Sequence, residues 1–224
     1  DLQYFDTQQV VQFTIRQKDF RLDNPNAAVK VAILQNYRWD TAITGVKPQY
    51  VMGNDLVYRY DRETAFWGGN EYFYFDSKDI HVPASGVYRL DRSKWVNSYL
   101  FTNVSRASNV YTYYPDINGD FLVTTINGMN PSNEADYTQV HFALEGKSTF
   151  WSKEVYVYGK FSNYELRDEY KLTYDEKDGL FKGKVLLKQG FYNYKFATKA
   201  GNIVDFNEIS GNFQQTENTY LVLV

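Results

Sequence analysis

The sequence predicts an all-β protein built as two antiparallel sandwiches, and three observations carry that prediction. Side chains alternate between apolar and polar over many short runs, helical periodicity is nearly absent, and turn dipeptides fall between the runs. Length agrees, since 224 residues suffice for two domains of roughly 100 residues each.

Alternation is clearest where one face can be read directly. Over Gln9 to Ile15 the side chains of Val11, Phe13 and Ile15 share a face, and over Val29 to Gln35 those of Val29, Val31 and Ile33 do. Further strands are expected at Leu56 to Tyr60, Tyr72 to Phe75, Val110 to Tyr114, Phe121 to Thr125, Val140 to Leu144, Val155 to Tyr158, Lys171 to Tyr174, Leu180 to Leu187, Tyr192 to Phe196 and Tyr220 to Val224. A single helical turn is expected at Ser132 to Asp136. Asn118-Gly119 and Asp178-Gly179 tolerate the positive φ of tight hairpin turns, and Gln189-Gly190 turns the chain again, so residues 170 to 196 read as a meander. Asn127 to Asn133, with Gly128 and Pro131, is the least strand-like stretch near the middle and is taken as the connection between domains, giving 1–126 and 127–224.

Composition narrows the function. Aromatic residues make up 18% of the chain, with 21 Tyr and 16 Phe, and tyrosine suits both pleated faces and wet interfaces because its ring packs while its hydroxyl bonds. A net charge of −3 without a dense Lys or Arg run disfavours nucleic acid and anionic membrane, both of which need concentrated positive charge. The absence of Cys removes disulfides, thiolate nucleophiles and Cys-ligated zinc. No stretch reaches the ~18 apolar residues of a membrane span, and Asp1-Leu2-Gln3-Tyr4 does not read as a signal peptide.

The groups an active site would need are not assembled in the sequence. The two histidines, His81 and His141, stand in no metal-ligand spacing, and His141 reads as a structural residue on a strand. No nucleophile elbow or phosphate-binding glycine loop occurs. Asp116 to Asp120 places oxygens as a calcium loop begins, but its sixth and twelfth positions are Phe121 and Asn127 where Gly and Glu are needed. The carboxylate pairs Asp168–Glu169 and Glu176–Asp178 sit in polar turns beside Lys. No catalytic residue, cofactor or metal site is therefore expected, and the protein reads as a non-enzyme. The tryptophans Trp39, Trp67, Trp95 and Trp151 flank expected loops, where an indole either stacks on a ligand, anchors a partner or packs a loop.

Three blocks carry a resemblance. The first runs from Val29 to Ile43 and contains Asn36-Tyr37-Arg38-Trp39-Asp40; the second is Phe66-Trp67-Gly68-Gly69-Asn70-Glu71-Tyr72 with Phe75-Asp76; the third joins Glu134 to Tyr137, Leu186 to Tyr194 and Thr216 to Tyr220. In order from Gln9 to Val224 they resemble the type IX secretion system plug protein family of the Bacteroidota. The resemblance implies a periplasmic, outer-membrane-associated protein that binds the translocon barrel and closes its periplasmic opening, with no catalytic residues. Family members carry a signal peptide and a further N-terminal β-domain, neither of which appears in these residues. For the Gly68 to Glu71 motif, a tight glycine approach and an Asn70 amide bridging backbone groups favour fold maintenance.

Val155 to Tyr164 together with Gly190 to Phe196 is also similar to early-set Ig-like domains, including glycogen- and starch-binding modules. That similarity implies two antiparallel Ig-like β-sandwich domains, the second of early-set type, and makes a carbohydrate-binding module the alternative function. The candidate interface or ligand-stacking residues are Trp39, Trp67, Asn70, Trp151 and Tyr164. Asp40-Thr41-Ala42 resembles an O-glycosylation acceptor of these bacteria, which makes Thr41 the candidate acceptor.

Overall fold

The computed structural model describes residues 5–18, 22–126 and 128–224. The polar start at 1–4, and Asn127 of the expected connection and calcium-loop pattern, lie outside the described residues. The protein is 41% strand and 6% helical, as the alternation predicts. In chain order its strands are β1 (Gln8–Val10), β2 (Phe13–Arg16), β3 (Ala32–Gln35), β4 (Ile43–Thr44), β5 (Tyr50–Met52), β6 (Asp55–Tyr58), β7 (Ala65–Trp67), β8 (Phe73–Asp76), β9 (Val87–Arg92), β10 (Val96–Leu100), β11 (Phe121–Val123), β12 (Tyr137–Glu145), β13 (Glu154–Tyr158), β14 (Lys171–Asp175), β15 (Leu180–Lys188), β16 (Gly190–Ala200), β17 (Ile203–Asp205) and β18 (Tyr220–Leu223). Besides short 3-10 turns such as Lys160–Ser162, two one-turn α-helices among the described residues, α1 (Pro25–Ala28) and α2 (Pro131–Glu134), each carry proline in the first turn, where its missing N–H costs nothing. The turn at α2 is where the sequence places one; α1 is additional.

The chain divides into two units, Asp1–Gly69 with Asn212–Val224, and Asn70–Gly211. This departs from the expected boundary at 126/127. The reason lies in the ladders: β8 and β11 both pair antiparallel with β16, tying residues 73–123 to the later strands, while β18 pairs with β3 and returns the last residues to the first unit.

In the first unit the sheets β18-β3-β4 and β2-β6-β5 supply a core of Val31, Ile33, Leu56, Tyr58 and Phe66, against which Phe13, Ile15 and Val222 pack. Phe13 stacks on Tyr58 at 4.5 Å. The expected strand from Gln9 to Ile15 is broken in two: β1 pairs with β7 and β2 with β6. Between them Val11 N donates to the Thr64 carbonyl.

The second unit holds one long strand path, β9-β10-β12-β15-β14-β13-β16, with β8, β11 and β17 also on β16. One pairing within it is parallel, β10 with β12, which the expected all-antiparallel pattern did not include. Alternation decides what goes inside. In β12, Thr138, Val140, Phe142 and Leu144 are buried while the residues between them face outward. Phe75, Phe142, Tyr192, Tyr194 and Phe196 form the aromatic centre of the core, with Phe75 stacked on Tyr192 at 5.1 Å and Phe142 edge-on to Tyr194 at 5.1 Å. Tyr192 and Tyr194 are tolerated at this centre because both hydroxyls find acceptors: Tyr192 donates to the Lys188 carbonyl and Tyr194 to Asn103 Oδ1, both at 2.8 Å.

Two turn expectations need correction. Asn118 and Gly119 do take positive φ, 55° and 85°, and Asp120 N bonds the Ile117 carbonyl. Yet residues 110–114 form no strand, and β11 pairs with β16 instead. The turn is fastened from elsewhere: Asn193 Oδ1 accepts from Ile117 N at 2.7 Å and Gly119 N at 3.3 Å, and Asp116 accepts from Tyr72 N and Asn118 N. Those bonds occupy both carboxylate oxygens of Asp116, the first of the positions that suggested a calcium loop. The expected meander over 170–196 also ends early, because β15 pairs with β12 and β14 while β16 pairs with β13, β11 and β8.

Candidate functional site

The outward face of β9, β10, β12 and β15 carries an aromatic and cationic groove. Register aligns Arg89 with Tyr99, Tyr99 with His141, and His141 with Lys184, so four strands contribute one side chain each to a single cross-strand row. The Arg89 guanidinium lies 3.8 Å over one face of the Tyr99 ring, and His141 stacks on Tyr99 at 4.2 Å with planes 14° apart. Beside that row Tyr88 meets Phe101 at 5.7 Å. Both are more than half exposed, at 51% and 61%. The hollow has a volume of about 700 Å³ and its lining includes Tyr88, Tyr99, His141, Asp168, Thr173 and Lys184, a size suited to a small ligand.

The tautomer of His141 follows from its neighbour. Asn97 donates its amide to the Trp95 carbonyl at 2.9 Å, which leaves Oδ1 to face His141 Nε2 at 2.9 Å; the imidazole therefore donates from Nε2. Burial, with Lys184 and Arg89 adding to it, holds His141 below the ordinary histidine value. Of the groove's cations, Lys171 pairs with Glu154 and Lys182 with Asp175 and Asp178. Lys184 and Arg89 have no carboxylate partner among the described residues. Among those residues, too, no group of three or more His, Asp or Glu is arranged to hold a metal.

The sequence-derived candidates lie elsewhere. Trp39 and Trp67 belong to the first unit and are 64% and 48% exposed; Trp67 is the last residue of β7, next to the loop that follows it, and its carbonyl accepts from Gln35 Nε2 at 3.0 Å. Trp151, in the second unit, sits beside Tyr174 at 6.2 Å. Tyr164 follows a one-turn helix at φ 59° and is half-buried. None of these lines the groove. Asn70 is buried, so it is no surface interface residue: its Nδ2 donates to the Ser210 carbonyl and its Oδ1 accepts from Glu71 N. Thr41 is exposed in a turn closed by Ala42 N on the Trp39 carbonyl.

One other site is built with unusual backbone. Asn36 and Tyr37 both take left-handed φ, 53° and 59°, which a tyrosine rarely adopts. Asn36 Oδ1 accepts from Thr219 N, and Asn36 Nδ2 donates to Asn218 Oδ1. Arg38 then clasps Asp40 through Nε at 3.1 Å and Nη2 at 2.6 Å. The result presents Tyr37, 66% exposed, and Trp39 outward together.

No protein-family model matches the sequence, and no curated protein matches it. Among solved structures, a hypothetical protein from Parabacteroides merdae is similar, with a TM-score of 0.88 and 30% sequence identity over 97% of this chain. The chain spans 55% of that protein's length.

Proposed function

We propose that this chain is part of a non-enzymatic accessory protein of type IX secretion, periplasmic and associated with the outer membrane, that binds the translocon barrel and plugs its periplasmic opening. The observation that carries the reading is the Asn36 to Asp40 loop. It lies in the most distinctive block of the family resemblance, and it holds two large aromatic side chains in solvent on a strained, hydrogen-bonded frame. Rigid exposed aromatics of this kind anchor protein interfaces, because little conformational freedom remains to be lost on binding. The similar protein from Parabacteroides merdae, a member of the Bacteroidota, adds support from the same phylum. The test is affinity capture from solubilised outer membranes with the tagged chain. Recovery of the translocon barrel, lost in the Tyr37→Ala/Trp39→Ala double variant, supports the reading; a preparation without the barrel removes it. Thr41 on the same loop is our candidate for O-glycosylation, read from the intact mass of protein purified from its native host.

A second reading, a carbohydrate-binding module, is favoured by a different observation: the groove of the second unit with Tyr88 and Phe101 exposed at its edge. Aromatic rings held on a sheet offer flat apolar faces for sugar rings, with polar groups beside them to bond hydroxyls. Titration with soluble glycans tests it, and no binding at millimolar ligand would discard it.

A further inference from the structure

We propose that the groove on the outer face of β9, β10, β12 and β15 binds an acidic oligosaccharide, with its carboxylates along the Arg89–Lys184 row and a sugar ring against Tyr88 and Phe101. The inference rests on the carbohydrate reading and adds the charge class, the site and the orientation of the ligand.

Three features point to this ligand. Lys184 lines the hollow and Arg89 ends the row that adjoins it, and both are exposed cations without carboxylate partners among the described residues, whereas Lys171 and Lys182, which also line the hollow, are paired. An anion that reaches Lys184 and Arg89 gains attraction without first displacing an internal partner. Arg89 and Lys184 lie three strands apart in register, about 14 Å at ~4.8 Å per strand, a span that suits an oligomer rather than one sugar. Both faces of the Tyr99 ring are already covered, by Arg89 and by His141, so the rings left to stack on a ligand are Tyr88 and Phe101.

The acidic part of the hollow decides between a sugar and an acidic peptide. Asp168, Glu169 and Asp178 line it together with Thr173. Glu169 pairs with Arg167 and Asp178 with Lys182, whereas Asp168 makes no ion pair among the described residues. A ligand carrying only carboxylates would be repelled there, but sugar hydroxyls donate to Asp168 and Thr173 while the uronate groups face Lys184 and Arg89.

His141 reports occupancy. The charged and titratable groups facing it are Arg89 and Tyr99 from β9 and β10 and Lys184 and Lys182 from β15. Burial first, and then Lys184 and Arg89, lower its pKa in the free protein, and a carboxylate seated beside the two cations offsets their part of that influence. The chain has two histidines, so proton NMR resolves His141 with His81, against Arg92, as the internal reference.

The experiment titrates the whole chain with a galacturonate trimer, its methyl ester, and an Asp/Glu peptide of equal charge. The proposal expects the acid trimer to bind and raise the His141 pKa, the ester to bind at least tenfold more weakly, and Lys184→Gln to reduce acid-trimer affinity about tenfold. Tyr88→Ala and Phe101→Ala should weaken the trimer and the ester alike. Equal binding of trimer and ester overturns the charge assignment and leaves the carbohydrate reading standing. No binding of either at millimolar concentration overturns both. A peptide that binds as tightly as the trimer overturns the saccharide class, and an unchanged affinity in Lys184→Gln overturns the location.

Discussion

The Asn70 amide donates to the Ser210 carbonyl at 2.6 Å, joining the first residue of the second unit to one of its last two. Glu71 N donates back to Asn70 Oδ1 at 2.8 Å, so one buried side chain fixes both strands of chain where the unit begins and ends. Asn70→Ala leaves a buried carbonyl and a buried N–H without these partners, at a cost of about 1–3 kcal/mol for each unmet group. Urea unfolding should show the midpoint fall with an unchanged slope. Asn70→Asp sets a buried carboxylate against the Ser210 carbonyl oxygen, so at neutral pH it should lose at least as much stability as alanine.

A step earlier, Gly68 is required for space and not for its backbone angle. Its N–H donates to the Thr7 carbonyl and its own carbonyl accepts from Asn218 Nδ2, both at 2.9 Å, while a Cβ there would overlap the Phe213 carbonyl oxygen. Gly53 is the opposite case, with φ +57° and open space around it. Gly68→Ala should therefore cost ~3 kcal/mol through forced backbone movement, and Gly53→Ala about 1 kcal/mol through left-handed strain alone. Thermal unfolding of the two variants side by side checks the order; equal losses would refute the steric explanation.

How far the sequence revealed these features depends on whether the deciding contact was local. The strand β12 was legible because Val140, Phe142 and Leu144 alternate with polar residues, and the glycine approach at Gly68-Gly69 was legible from residue type. The missing strand at 110–114 was not: its Tyr and Val have strand propensity, but no ladder partner lies beside them, and the Tyr111 hydroxyl instead bonds Glu71. The groove was invisible for a related reason. His141 reads as a lone strand histidine until the parallel pairing of β10 with β12 brings Tyr99 against it, and parallel neighbours leave no hairpin signature in the sequence. The tryptophans stand out beside expected loops, whereas the row of Arg89, Tyr99, His141 and Lys184 comes from separate strands that only the register brings together.

The groove makes stability depend on pH with a definite sign. His141 has a folded value below that of the unfolded chain, which is about 6.5. Above that pH both states hold a neutral imidazole and this residue contributes no slope. As pH falls through about 6.5 the unfolded chain takes up the proton first, so stability declines until the folded value is passed and then levels. The difference in unfolding free energy between wild type and His141→Gln should shrink or grow only across that window, and Lys184→Gln should narrow it by letting the folded value rise. Parallel curves for wild type and His141→Gln from pH 8 to pH 5 would show that the histidine is not held neutral.

Tyr37 separates stability from binding. Its left-handed φ of 59° costs an L-residue roughly 1–2 kcal/mol, and its exposed ring recovers little of that by burial. Glycine adopts the same angle without the clash but gives up more chain entropy on folding, roughly 0.5–1 kcal/mol relative to alanine. Tyr37→Gly should thus be neutral or more stable by up to about 1 kcal/mol, whereas Asn36→Ala, which removes the bonds to Thr219 N and Asn218 Oδ1, should lose ~1–2 kcal/mol. If the strain is kept so that the tyrosine meets a partner, Tyr37→Gly unfolds at the same or a higher temperature and yet fails to capture the barrel from outer membranes. A variant that loses stability and capture together would assign Tyr37 to the fold instead.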